Sequence, residues 1–543
     1  MLDFARNLPA AFRSWVAPNL SWFRANRQPT LWLLAIAIGV GVSAAAILFR
    51  LGIGLVQLPW LHTMSERVAS AAAAQPWWVI LLAPAAGGLL VGWFLHRVQP
   101  GRRTQAVADV IEARAMAGRG LDFWPGIGSA FATAVSLGSG ASAGREGPVV
   151  HLGATIATSL CRLFRLPVAA RKVMLACGVA AAVSASFNAP IAGVLFAHEV
   201  ILGHYAMSAF VPIVISSAVG TALFRQVIGD VAAFTVPLYQ MTSYWEIPAF
   251  ALLGLACAAV AILFQFALIG TDYVARGIRM PLWLRPVVGG LMVGGIGIAF
   301  PEVLGVGYEA TDRALKHDLA LWLMFALLFA KTAATAITLA SRFGGGIFSP
   351  SLYLGAMAGG AYGIIAASVF PELASSNGLY AILGMGAVAA AVLGAPISTT
   401  MIVFELTGGY ALSIALLLAV SIATGLTQAV HGRSFFQWQL EMRGTFLHEG
   451  PHNYLVKSVL VEKFMTLLSE DEEVAPLDAE TDTVLRPGQT LEQALKAFDD
   501  TGRSRLPVVE GETELIQIGW ADHVRALRYF NSALIDASVE EHK

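Results

Sequence analysis

The chain has 543 residues, of which 56% are hydrophobic and only 13% charged, about half the charged share of an ordinary soluble domain. That composition excludes a purely water-soluble globule, and a formal net charge of −1 leaves no basic field with which to hold nucleic acid or anionic lipid. The three cysteines, Cys161, Cys177 and Cys257, lie in apolar runs without disulfide or metal-ligand spacing and read as packing residues.

In chain order, residues 1–28 come first. Arg6, Arg13, Arg24 and Arg27 interrupt their apolar pattern and no small-residue cleavage site follows, so they read as an amphipathic interfacial helix and not as a cleavable leader. Apolar stretches then recur at Leu31–Leu48, Trp77–Leu95, Ile247–Gly270, Leu321–Leu339 and Tyr410–Thr427, each near the roughly 20 residues that span hydrocarbon as a helix. Their number excludes a single-pass anchor and predicts a polytopic membrane protein, with a plasma (inner) membrane as its expected location. The arginines before the first span and the polar C-terminal tail favour cytoplasmic ends.

Self-comparison uncovers a duplication. P-A-A-G-G-L-L-V-G from Pro84 matches P-V-V-G-G-L-M-V-G from Pro286, 202 residues on, and P-V-V-H-L-G-A from Pro148 matches P-S-L-Y-L-G-A from Pro350 at the same displacement. Ala189–Ile191 repeats as Ala395–Ile397, with a glutamate nine residues after each proline, Glu199 and Glu405. Shared Gly/Ala/Pro composition makes membrane helices look alike, but it does not fix a register over three ordered blocks. The halves run from about 30 to 228 and from 243 to 432. Duplicated halves of this kind build transporters whose ion site lies where the repeats meet.

Pro148, Pro190, Pro350 and Pro396 are expected at the first position of helices. Between Pro148 and Arg162 there is room for only about 21 Å of helix at 1.5 Å per residue, short of a roughly 30 Å core. Gly138, Gly140, Gly144 and Gly147 in one half, and Gly344, Gly345 and Gly346 in the other, mark non-helical backbone, tolerated at membrane depth only where it is buried or lines a cavity. Helix N-termini converging there would attract an anion by partial charge alone, weakly enough to release it. Glu146 in G-R-E-G-P is an ionisable group at such an end, and an intramembrane carboxylate is functional by default. It can compete with a free anion for the same cradle and leave it on protonation, or it can merely favour the helix start and pair with Arg145.

G-S-G-A-S-A-G-R-E-G-P at Gly138–Pro148 resembles the G-(R/K)-E-G-P motif of the CLC family of chloride channels and anion/proton exchangers, and G-G-I-F-S-P at Gly345–Pro350 resembles its G-I-F-x-P motif. S-F-N-A-P-I-A-G-V-L-F at Ser186–Phe196 is similar to the family's segment before its inner glutamate. The likeness covers roughly residues 30–445. It implies an all-α polytopic fold with two inverted repeats and broken half-membrane helices, and a homodimer with one pore per subunit. It also implies Glu146 as outer gate and proton carrier, and anion ligands from the backbone of Ile347 and Phe348, with Arg145 and Gly147 flanking. No cofactor and no metal are expected; the partners are chloride or a similar small anion, protons and the lipid bilayer, and no nucleic acid.

The departures are as informative. Where the family carries G-S-G-I-P, this chain has T-Q-A-V-A at Thr104–Ala108, so Gln105 replaces the anion-touching serine; Phe436 stands where an inner tyrosine is expected. An amide both donates and accepts, which would suit bicarbonate as well as chloride, nitrate or fluoride. The inner proton glutamate of family exchangers falls on Val200, leaving His198 or Glu199 as an inner proton path, unless they only satisfy buried polar groups.

The transmembrane domain is expected over 29–445 and a cytoplasmic linker and tail over 446–543. After the acidic run Glu470–Glu473, the stretches Leu485–Phe498, Gly502–Glu510 and Ile518–Leu527 resemble a single CBS motif, a small α/β unit, with Asp522 where some such domains hold a ribose. An enzymatic alternative, an intramembrane hydrolase using Ser139 and His151, lacks the G-x-S-x-G surround.

Overall fold

The structure, a computed structural model, describes residues 28–116, 120–230, 243–372, 374–407, 412–445, 459–468, 483–510 and 516–542, with a few isolated positions besides. The amphipathic helix expected before Gln28 and the acidic run Glu470–Glu473 lie outside the described residues. The chain divides into two units, residues 1–439 and 440–543.

Among the described residues of the first unit, eight helices of one half match eight of the other, and a short helix Val68–Ala73 stands outside the match. The first half runs Gln28–Leu61, Trp77–Arg97, Val107–Ala115, Phe123–Gly138, Glu146–Leu163, Val168–Phe187, Pro190–Phe196 and Met207–Ile228. The second runs Ile247–Gly277, Arg285–Ala299, Tyr308–Leu315, Leu321–Ala340, Phe348–Val369, Asn377–Leu393, Pro396–Thr407 and Ser413–His431. Among the described residues, eight helices are long and apolar enough to cross a membrane. Their outer faces carry large apolar side chains that water would not tolerate in bulk: Leu33, Leu48 and Phe329 are 67%, 68% and 65% exposed. Their inner faces are built from small residues, so backbones touch. A Cβ on Gly153 would run into the Gly178 carbonyl, and one on Gly355 into that of Gly384, the close approach by which membrane helices gain packing without a hydrophobic drive.

The duplication becomes a two-fold axis. Gly144 and Gly346, 202 residues apart, form an antiparallel bridge in which each amide donates to the other's carbonyl at 2.7 Å. Gly88 lies against the Pro286 carbonyl and Gly290 against that of Pro84, the same contact made twice. Further out, both oxygens of Glu199 accept from the amides of Ile397 (3.0 Å) and Ser398 (2.7 Å), while those of Glu405 accept from Ile191 (3.1 Å) and Ala192 (2.7 Å). Each half thereby caps a proline-led helix of the other. These carboxylates satisfy first-turn amides that have no intrahelical acceptor.

Two of the four prolines do not sit where expected. Pro190 and Pro396 open their helices, but Pro148 and Pro350 are third residues, after Glu146-Gly147 and Phe348-Ser349. No hydrogen bond is lost there, because none of the first-turn amides has an acceptor within the helix. The helix from Glu146 has 18 residues, about 27 Å of rise, still short of a full span.

The second unit is a small α/β body. Strands Thr466–Leu467, Ile516–Asp522 and Arg505–Glu510 lie in that order across an antiparallel sheet. Helix Leu491–Thr501 packs Leu491, Ala494 and Phe498 into its core and starts with a Thr490–Gln493 capping box, which satisfies two orphan donors at once. Asp522 is engaged by Arg505 at 3.4 Å.

Candidate functional site

The helices that start at Glu146 and Phe348 begin beside the Gly144–Gly346 bridge. Glycines on both strands of the crossing let the two chain segments meet, and the helices diverge from there. Gly147, Ile347 and Phe348 border a chamber of about 40 Å³, so the first turns of two opposed helices present amides and dipole ends to one small space. Its remaining walls are mostly apolar, with Val107, Val150, Phe435 and Phe436, and Gln439 as a polar side chain. That volume suits a few water molecules or one small ion.

Glu146 also borders the chamber and is only 1% exposed. Its carboxylate is held on both oxygens: the Tyr308 hydroxyl donates to Oε1 at 2.5 Å and the Ser349 hydroxyl to Oε2 at 2.5 Å. Arg145 Nε stands 3.9 Å away and its guanidinium lies over the Tyr308 ring, 4.9 Å from the centroid. A charge buried this deeply persists only with such partners. Beyond Tyr308 lies a second cavity, again of about 40 Å³, bordered by Arg50, Gln57, Glu66, Arg145 and Tyr308. Glu146 thus lines the first chamber and is bonded to Tyr308, which lines the second.

Behind Tyr308, Lys331 is fully buried in helix Leu321–Ala340. Its ammonium donates to the carbonyls of Val303 (3.0 Å) and Gly305 (2.9 Å) and lies 5.2 Å from the Tyr353 ring centroid. It fixes the loop that delivers Tyr308 to the carboxylate.

The residues singled out from sequence divide into three groups. Glu146, Gly147, Ile347, Phe348 and Phe436 border the chamber, whereas Arg145 borders the second cavity. Gln105 borders neither; its backbone N–H donates to Ser129 Oγ at 3.1 Å, and its neighbours Ala106 and Val107 form part of the wall. His198 and Glu199 lie away from both cavities: Glu199 caps a helix, and His198 Nδ1 is 3.0 Å from the His204 carbonyl with Nε2 buried and unpartnered. Val200 packs against the core. The hydrolase pairing does not form. Ser139 donates to the Ser136 carbonyl at 2.9 Å, and His151 Nε2 has no hydrogen-bond partner.

A family model described as voltage gated chloride channel matches residues 87–428, well over half the chain. The chain belongs to the CLC family. A putative chloride channel protein ClcB-like from Ralstonia nicotianae is 36% identical over 398 residues, covering 71% of this chain and 91% of that protein. A solved structure of a slow cyanobacterial Cl−/H+ antiporter superposes with a TM-score of 0.67 at 22% identity, over 76% of this chain and 97% of the other. That of a CLC-type fluoride/proton antiporter gives 0.64 at 21%, over 76% and 98%. The fold is accordingly the all-α, multi-pass CLC fold of two inverted repeats with broken helices, followed by a small α/β tail.

Four residues of this CLC site escaped sequence reasoning. Ser349 stood inside the G-I-F-S-P motif, and the repeat register would have set Tyr308 opposite Ala106. Lys331 carried the signal of a lone charge in an apolar span. For Glu66, in a turn between helices, the sequence offers none.

Proposed function

We propose that this CLC protein moves small inorganic anions, chloride foremost, through a pore in each subunit of a homodimer in the plasma (inner) membrane, with both termini in the cytoplasm. The observation that carries the reading is the Glu146 carboxyl, bonded on both oxygens and lining the first chamber at the meeting of two helix starts. A permeating anion enters the inner chamber and is held by the amides of Gly147, Ile347 and Phe348, whose partial charges bind it without trapping it. Phe436 narrows the inner side. Outward passage requires the Glu146 carboxylate to leave the hydroxyls of Tyr308 and Ser349, which protonation or an incoming anion brings about by removing or matching its charge. Gln105, through the wall it anchors at Ala106 and Val107, tunes selectivity toward oxyanions such as bicarbonate or nitrate. The transmembrane domain spans 29–445 and the CBS-like tail 446–543, without cofactor and without catalysis.

Reconstitution into liposomes with simultaneous recording of chloride efflux and pH tests this. Chloride flux above protein-free vesicles is expected; its absence for every small anion tried would overturn the reading. With Val200 where exchangers carry glutamate, proton movement is expected to be weak. A second reading, proton-coupled exchange, rests on the unpartnered Nε2 of buried His198. It predicts pH change driven by a chloride gradient, abolished in Glu146→Gln.

A further inference from the structure

The second cavity holds a carboxylate that anion transport through Glu146 does not require. Glu66 sits in the turn between helices Gln28–Leu61 and Val68–Ala73, and its Oε1 is shared by two guanidinium groups: Arg50 Nε at 3.0 Å, and Arg145 Nη1, also an ion pair and hydrogen bond. Arg50 comes from the first long helix and Arg145 from the residue before the gate. Two cations from separate elements converging on one oxygen, in a cavity that Gln57 also borders, form a receptor for a single negative charge. The side chain that fills it is 37% exposed and hangs from a turn, while Arg145 is only 9% exposed. Glu66 can therefore swing out toward solvent, whereas Arg145 cannot follow and needs another anion in its place.

We propose that Arg50 and Arg145, with Gln57, form an anion-binding site at the outer mouth, and that Glu66 is a tethered competitor that occupies it until a free anion displaces it. The inference rests on the anion-transport reading. It adds a second carboxylate in series with Glu146, one held by arginines where the other is held by hydroxyls. The balance of charge supports competition: Arg50 and Arg145 face Glu66 and, at 3.9 Å, Glu146, so when the Glu66 carboxylate leaves, a diffusible anion is what restores the match of two cations to two negative charges.

Initial chloride uptake into proteoliposomes, measured against external chloride, separates this from a structural role. Glu66→Gln keeps the shape and loses the charge. It is expected to lower the half-saturating chloride concentration about threefold to fivefold, the scale of a partly exposed ion pair such as Arg50–Glu66. Arg50→Gln is expected to raise half-saturation, and in the double variant the gain should vanish. If Glu66 instead pins Arg145 for the sake of the gate, Glu66→Gln will raise half-saturation or reduce the maximal rate; either result, or no change, overturns the proposal. Glu66→Asp, which draws the carboxylate back from Arg50 without removing it, serves if the glutamine variant is unstable, and should shift half-saturation in the same direction by less. Wild-type protein without chloride uptake would sink the transport reading itself, a result distinct from all of these.

Discussion

At the two-fold axis Arg145, Glu146 and Gly147 of the first half stand opposite Ile347, Phe348 and Ser349 of the second, each pair 202 residues apart. The backbones there are interchangeable, as the reciprocal Gly144–Gly346 bridge requires; the side chains are not. One half gives the carboxylate, and the other gives the hydroxyl that donates to one of its oxygens. The same holds at the next pair, where Ala106 leaves the inner chamber open and its counterpart Tyr308 closes over Glu146. Glu199 and Glu405, by contrast, do the same work on both sides. Where symmetry persists the residues hold the scaffold, and where it breaks they carry the chemistry. Direction in a pore needs such a break, because a fully symmetric site would treat its two faces alike.

The largest test of that contrast is Glu146→Ala. With the plug gone, chloride flux should rise well over tenfold and lose its dependence on pH; a silent variant that still folds would mean the carboxylate is an anion-path component and not a gate. Tyr308→Phe removes one hydrogen bond to a charged group, worth about 1.5–3 kcal/mol, and should weaken closure by about tenfold or more, read as raised flux at neutral pH. Lys331→Met orphans the carbonyls of Val303 and Gly305, at about 1–3 kcal/mol for each group left unsatisfied. It should lower the unfolding temperature in detergent and, by loosening Tyr308, mimic part of the Tyr308→Phe flux gain. The smallest difference is expected between Glu199→Gln and Glu405→Gln. Each should cost a similar amount of thermal stability, about 1–2 kcal/mol for weakened capping, with little change in proton movement. Loss of coupling in Glu199→Gln alone would break the symmetry there and return Glu199 to a proton path.

Much of this was legible in the residues. The duplication, its register and the short helices follow from the spacing of prolines and glycines. Glu146 stood out as a charge at the start of a membrane helix. Arg145 was less transparent: adjacency to Glu146 suggested an anion ligand, but nothing in the sequence showed that its guanidinium meets Glu66 and the Tyr308 ring. The first-position placing of Pro148 and Pro350 missed by two residues, since a missing amide is tolerated throughout the first turn.

By itself, the sequence determined what each segment must do locally: how long a helix can be, where its backbone must bend, and which positions carry charge into lipid. Those follow from hydropathy, from proline's missing donor and from glycine's missing Cβ. Only the tertiary structure decided partners: that Tyr308 and Ser349 hold Glu146 across 162 and 203 residues of chain, and that Lys331 fixes the loop just before Tyr308. A buried charge must find its donors wherever packing brings them, and no local pattern records a meeting between residues so far apart.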